Sequence, residues 1–85
     1  MHYPAAAFWL RYHTLPADVQ QSADRAFELL KQDPYHPSLH FKKVSKYWSA
    51  RVGVHYRALA VRDGENFIWF WIGSHADYDK LLRES

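Results

Sequence analysis

Hydrophobic positions change period partway along this chain, from the three-to-four spacing of helices to the alternation of strands. Val19, Ala23, Ala26, Phe27 and Leu30 recur on one helical face, with Gln20, Gln21, Asp24, Glu28 and Lys31 mostly on the other. Pro16 opens this helix and Asp33-Pro34 ends it, because the residue before a proline is pushed out of the α region. A shorter helix over residues 5–13 precedes it. Pro4 suits the first turn of that helix, where a missing N–H loses nothing, and Leu15-Pro16 closes it. After Pro37 the alternation predicts strands at residues 39–44, Tyr47–Val52, residues 56–62 and residues 67–72. The last of these is apolar at every position, so it is expected to be covered on both faces and central. Ser74 then offers an N-cap, and Asp77 three residues on approximates a capping box. The final short helix can dock on the sheet through Leu81 and Leu82. The order is helix, helix, four strands, helix, with the last three strands forming a meander.

Turn chemistry fixes an expected register. A three-residue loop at Gly53-Val54-His55 pairs Val52 with Tyr56 and Arg51 with Arg57. Asp63-Gly64 reads as a two-residue type I′ loop, which pairs Ala60 with Phe67, Ala58 with Trp69 and Arg57 with Phe70. Small residues would then oppose large ones, as a small core requires. Two arginines would sit side by side, a like-charge pairing that costs a few tenths to about 1 kcal/mol. An anion bound there would explain it.

Composition narrows the class. Eighty-five residues make a single domain, residues 1–85, and its 18% aromatic content supplies the bulk for a small core. No cysteine is present, so there is no disulfide framework and no thiolate metal site. The first residues are too short and polar for a signal peptide, and no run approaches the ~20 apolar residues of a membrane span. A cytoplasmic protein without a membrane association is expected.

Charge is distributed unevenly. The 29 residues from Pro34 to Arg62 hold Lys42, Lys43, Lys46, Arg51, Arg57 and Arg62, three histidines and no acid. The other 56 residues carry five Lys/Arg and all nine acids. The net charge of +2 is therefore +6 on the strand segment and −4 elsewhere. A basic sheet interleaved with Tyr and Trp suits a polyanion, most commonly nucleic acid.

Four groups carry possible chemistry: Lys42, Lys43 and Lys46; Arg51 with Arg57; His75 at the exit of the last strand; and Tyr78, one turn further along the same helix side. Metal-free RNA cleavage needs a base for the 2′-OH, positive charge around the phosphorane and an acid for the leaving 5′-oxygen. Histidine titrates in the range for either proton role, arginine grips phosphate with a fixed fork, and tyrosine can stack or donate a proton. No metal or other cofactor is called for. Each group also has a structural reading. The lysines suit a solvated edge strand, the arginines could pair with carboxylates from elsewhere in the fold, and His75 with Asp77 could only cap a helix. Tyr78 could be core packing, while His36 and His40 read as loop structure and Trp48, Trp69 and Trp71 as core.

The stretches DPYHPSLHFKKV, WSARVGVHYRALAVRDG and IWFWIGSHADYDKLL resemble the RelE/ParE superfamily of type II toxin–antitoxin toxins, in the family's order and from Leu15-Pro16 onward. WSARV with HYRALAV resembles YoeB-like members, and GSHAD the C-terminal motif of YafQ-like ones. The resemblance implies an α+β, microbial-RNase-like fold: a helical hairpin on a small, mainly antiparallel sheet with a short C-terminal helix. It implies a metal-independent, ribosome-dependent mRNA endoribonuclease that inhibits translation. The site would comprise Arg57 as the phosphate-stabilising arginine, His75 as the catalytic histidine and Tyr78 as the C-terminal aromatic, with Lys42, Lys43, Lys46 and Arg51 binding RNA and Arg51 also near the reaction. It implies a short acidic antitoxin covering the basic groove in a toxin–antitoxin hetero-oligomer. ParE-like members inhibit DNA gyrase without a nuclease site, and a non-toxic RNA-binding domain of this fold is a third reading. The family usually begins with a β-strand. Here Pro4 and the alanines after it read as helix at once, so that strand is expected to be missing or frayed.

Overall fold

Five strands form one mixed sheet in the order β1-β5-β4-β3-β2, in a computed structural model that describes residues 1–84. The elements are β1 (His2–Pro4), α1 (Ala6–Tyr12), α2 (Ala17–Gln32), a 3₁₀ turn (Pro37–Leu39), β2 (Lys42–Val44), β3 (Tyr47–Val52), β4 (Tyr56–Asp63), β5 (Asn66–Ser74) and α3 (His75–Glu84). Only the β1–β5 pairing is parallel. The chain starts at one sheet edge, crosses one face through α1 and α2, and re-enters at the other edge as β2. This is the α+β architecture expected from the sequence. Among the described residues no helix is long and apolar enough to cross a membrane.

The helical hairpin forms as its periodicity dictates. Ala23 and Leu30 of α2 are buried, and Phe8, Tyr12, Ala26 and Phe27 pack with them against Ala50, Val52, Ala58, Ala60, Trp69 and Ile72 of the sheet. Gln20 joins the two helices: its Nε2 donates to the carbonyl of Tyr12 (3.1 Å), which also accepts from Leu15 N–H (3.1 Å), and to that of Leu15 (3.3 Å). Tyr12 donates its hydroxyl proton to Asp24 Oδ1 at 2.7 Å, and this bond raises the phenol's pKa above its ordinary value.

Three expectations are corrected. The N-terminal strand is present. Phe67 N–H donates to the Met1 carbonyl (2.7 Å) and Ala5 N–H to the Trp69 carbonyl (2.8 Å), bracketing the β1–β5 ladder. Pro4 belongs to this strand rather than to the first helical turn, which an outermost strand permits because an edge residue need not donate outward. The strand predicted at residues 39–44 is shorter: Leu39 ends the 3₁₀ turn, His40 adopts a left-handed conformation (φ 45°), and pairing begins at Lys42.

The third correction is the β4–β5 register. The loop is Gly64-Glu65, flanked by paired Asp63 and Asn66, and only Gly64 has positive φ (62°). One positive φ at the first loop position matches a type II′ turn rather than type I′. A bulge at Leu59/Ala60 shifts the ladder by one further residue. Ala60 therefore faces Trp69, Ala58 faces Ile72, and Arg57 faces Gly73 instead of Phe70. The odd residue also moves Trp71 to the opposite face from Trp69, where it packs with Leu59 and Tyr78. β5 is interior and covered on both faces as expected, but the middle position belongs to β4, whose Ala58, Leu59 and Ala60 are all buried.

His2 gives β1 a pH dependence. Its Nδ1 accepts a hydrogen bond from Trp69 Nε1 at 3.0 Å, and its ring stacks on Phe67 at 5.1 Å. Burial, aided by the nearby N-terminal ammonium, lowers its pKa from the ordinary 6.5. The unfolded chain therefore takes up a proton that the folded one resists. The contribution is flat above pH 6.5, and stability declines as pH falls through 6.5 toward the lower folded value. In thermal melts at descending pH, wild type is expected to lose more stability than His2→Phe over that window. Parallel pH profiles for the two proteins would refute this.

Candidate functional site

The face of the sheet opposite the helical hairpin carries the candidate residues. Arg51, Arg57 and Gly73 lie opposite one another on β3, β4 and β5, and Tyr56 faces Ser74 one step along. The expected Arg51–Arg57 pairing is therefore present. α3 follows directly, and His75 N–H donates to the His55 carbonyl at 2.7 Å, extending the β4–β5 ladder by one bond. Asp77 N–H donates to Ser74 Oγ at 3.1 Å, so Ser74 caps the helix as its type suggests. His75 is held at the sheet end on the β4 side, two residues beyond the rung that carries Arg57.

Among the described residues no carboxylate lies within ion-pair distance of Arg51 or Arg57. Among the described residues the ion pairs are Lys31–Glu28 (2.9 Å) and His75–Asp79 (3.4 Å). The half-buried Arg57 makes one bond, Nη1 to the carbonyl of Tyr56 at 3.0 Å. Arg51 bends toward the hairpin tip, where its Nε donates to the Gly53 carbonyl at 3.1 Å, and its side chain lines a groove against α2. The pair thus meets at the backbone while the two guanidiniums are separately anchored. The positive charge of this sheet segment is left uncompensated, as a site for an external anion requires.

His75 is half exposed, with Nε2 3.4 Å from Asp79 Oδ1 one helical turn on. Tyr78 meets its ring edge-on at 5.9 Å. Tyr78 itself is only 7% exposed and belongs to the core cluster with Leu59 and Trp71. The three lysines do not form one patch. Lys42 faces Ser49 on the α3 side, Lys43 faces Trp48 on the helical-hairpin side, and Lys46 sits in the β2–β3 turn with Nζ 5.5 Å from the Tyr47 ring.

Sequence reasoning passed over two residues. Asp79 was legible, since the i, i+4 spacing from His75 puts the two on one helical face. Arg11 was not. β1 covers only Phe67–Trp69 of β5, leaving the next residues without a strand neighbour on that side, while β4 pairs with them on the other. Arg11 reaches in from α1, donating Nε to the Ile72 carbonyl at 2.8 Å, with its guanidinium 4.9 Å from the Trp71 ring. Together with Tyr47, Trp71 and Lys80 it lines an open groove of about 490 Å³ beside α3.

The sequence profile described as "ParE-like toxin domain" matches residues 17–80, three quarters of the chain. The chain belongs to the ParE-like toxin family. Solved structures share the fold at low identity. A chain of the RelB-RelE antitoxin–toxin complex from Methanococcus jannaschii has a TM-score of 0.73 at 17% identity, with 93% of this chain and 96% of that one covered. YafQ from E. coli strain BL21(DE3) gives 0.67 at 13% identity, covering 92% and 96%. The YoeB/ParE toxin from Agrobacterium tumefaciens gives 0.65 at 14%, covering 87% and 96%. No curated protein sequence matches significantly. In this ParE-like toxin the short β1 and the bulged β5 position the row that ends in His75.

Proposed function

We propose that this toxin is a metal-independent endoribonuclease that cleaves mRNA on the ribosome and so inhibits translation. The observation that carries the reading is the Arg57–Gly73 rung followed by His75, a cation without a carboxylate beside a half-exposed histidine. The fork of Arg57 would hold the non-bridging oxygens of the scissile phosphate. His75 would take the 2′-OH proton as the 2′-oxygen attacks the adjacent phosphorus. The P–O5′ bond then breaks as a water molecule protonates the departing 5′-oxygen, leaving a 2′,3′-cyclic phosphate and a 5′-hydroxyl end. Asp79 would balance the imidazolium so formed, and the buried Tyr78 would orient the ring rather than stack on a base. Lys42 and Lys46 would draw RNA to the face, and Lys43, on the other face, would contribute through the general field.

The partner would be an acidic antitoxin chain that neutralises this face; the RelB-RelE structure is such an antitoxin–toxin complex. The test is cleavage of mRNA on programmed ribosomes by wild type and His75→Ala. Loss of at least ~10²-fold with the fold intact is expected of a proton-transfer residue. Equal cleavage by both would end the proposal. The burial of Tyr78 and the ParE-like profile favour one alternative, a toxin acting by binding DNA gyrase. Inhibition of supercoiling that survives His75→Ala would select it.

A further inference from the structure

A second cationic groove lies on the rim where α2 faces the β3–β4 hairpin. It encloses about 430 Å³ and is lined by Ser22, Arg25, Ser38, Arg51 and Gly53 over an apolar floor that includes Leu29. No Asp or Glu lines it. The groove exists because β2 pairs with β3 only as far as Ser49, so the edge of β3 beyond that residue has no strand neighbour. Both guanidiniums are anchored through a single nitrogen. Arg25 Nη2 lies 3.5 Å from Ser22 Oγ, and Arg51 Nε donates to the Gly53 carbonyl at 3.1 Å. An arginine has five N–H donors, and no other hydrogen bond engages either of these two among the described residues.

The groove does not stand alone. Ser22, Gly53 and Val54 also line an adjoining groove of about 390 Å³ that passes His55 and Tyr56, with Asp18 as its one carboxylate. The His55 carbonyl holds His75 N–H at 2.7 Å. Together the two grooves form a track from Arg25 and Arg51 over the hairpin tip to His55, whose carbonyl bonds the backbone of His75. We infer that this track takes the sugar–phosphate backbone of single-stranded RNA flanking the reacting phosphate, with Arg25 and Arg51 clamping a neighbouring phosphate. The inference rests on the ribonuclease reading and adds a substrate subsite to it. Forked, partly anchored donors on two different elements suit a tetrahedral oxyanion, and the end of the track at His55, the residue bonded to the backbone of His75, favours an RNA strand over an acidic peptide.

Arg25 lies outside the proposed catalytic row and is exposed, so Arg25→Gln should fold normally, which a thermal melt checks. Binding of a labelled 2′-O-methyl single-stranded oligonucleotide, which lacks the attacking hydroxyl, is measured across salt concentrations. Arg25→Gln is expected to weaken it about 3–10-fold at low salt and to reduce the slope of log K on log salt by about 0.7, the value for one phosphate contact on a single strand. Arg25→Lys should restore the slope but only part of the affinity. On programmed ribosomes Arg25→Gln should raise KM and leave kcat unchanged. Unchanged affinity, slope and KM overturn the subsite while leaving the ribonuclease reading intact. Poly-glutamate binding that depends on Arg25 while oligonucleotide binding does not would also overturn it, and would mark a protein-docking groove. If wild type neither binds the oligonucleotide nor cleaves mRNA, the ribonuclease reading falls and the subsite with it.

Discussion

Arg57→Gln is expected to lower mRNA cleavage by about 10²–10³-fold, the loss typical of removing one preorganised donor from a developing oxyanion, or about 2.7–4 kcal/mol of transition-state stabilisation. The structure makes this a clean test. Among the described residues Arg57 has no carboxylate partner to orphan, and its one bond is to the adjacent Tyr56 carbonyl. Glutamine removes the charge and keeps a polar side chain of moderate length. Stability should change by no more than ~0.5 kcal/mol, and relief of the directly opposed Arg51 acts in the stabilising direction. Arg57→Lys should recover part of the rate, since an ammonium supplies charge without the fork. Single-turnover cleavage alongside thermal melts separates the two effects. A folded Arg57→Gln protein that cleaves at the wild-type rate would remove Arg57 from the mechanism.

The largest stability effect is expected at Gly73. A Cβ there would sit 2.6 and 2.7 Å from Trp71 Cζ2 and Cη2, and 3.1 Å from Arg11 Nη2. Trp71 is 8% exposed and wedged with Leu59 and Tyr78 on one side and under the Arg11 guanidinium on the other. A rigid indole so enclosed cannot yield by a rotamer change, so the strand or the helix must shift. Gly73→Ala should cost about 1–3 kcal/mol, as overpacking does, which lowers the Tm by roughly 4–8 °C per kcal/mol in a domain of this size. Combining it with Trp71→Leu should cost less than the sum of the single changes, because removing the indole relieves the clash with the new methyl group. Additive costs would show that the glycine is needed for some reason other than the indole.

Much of this architecture was legible because side-chain period and proline placement dominate it. The α2 helix, the Tyr47–Val52 strand and the Arg51–Arg57 pairing appear where the sequence puts them. The misreadings have local causes. β1 is three residues long, too short for alternation to register, and is held by backbone bonds to a strand more than 60 residues away. The β4–β5 register depended on whether one or two loop residues carry positive φ, and on a bulge that no residue type announces. The geometry around the candidate residues was legible in part. Arg57 and His75 were singled out from charge and residue type, but which residue faces Arg57 followed from that register. Where the Arg51 guanidinium points is decided by the shortness of β2, a property of a neighbouring strand. The lysines looked like one patch because they are close in sequence; alternation across the sheet separates Lys42 from Lys43.

The β1–β5 pairing has a consequence for how this toxin is made. Met1 is bonded to Glu65 and Phe67, and His2 lies opposite Phe67, in the finished sheet, yet during synthesis the first strand leaves the ribosome long before the last. The helical hairpin can form early from local contacts, but the sheet cannot close until β5 is complete. Closure of so distant a contact is slow relative to helix formation. His75 immediately follows β5, so the row that includes Arg57 is assembled only once the chain has been made through His75. A nascent or prematurely terminated copy that stops short of it lacks this row, and the topology delays any activity that depends on the row until β5 has closed the sheet.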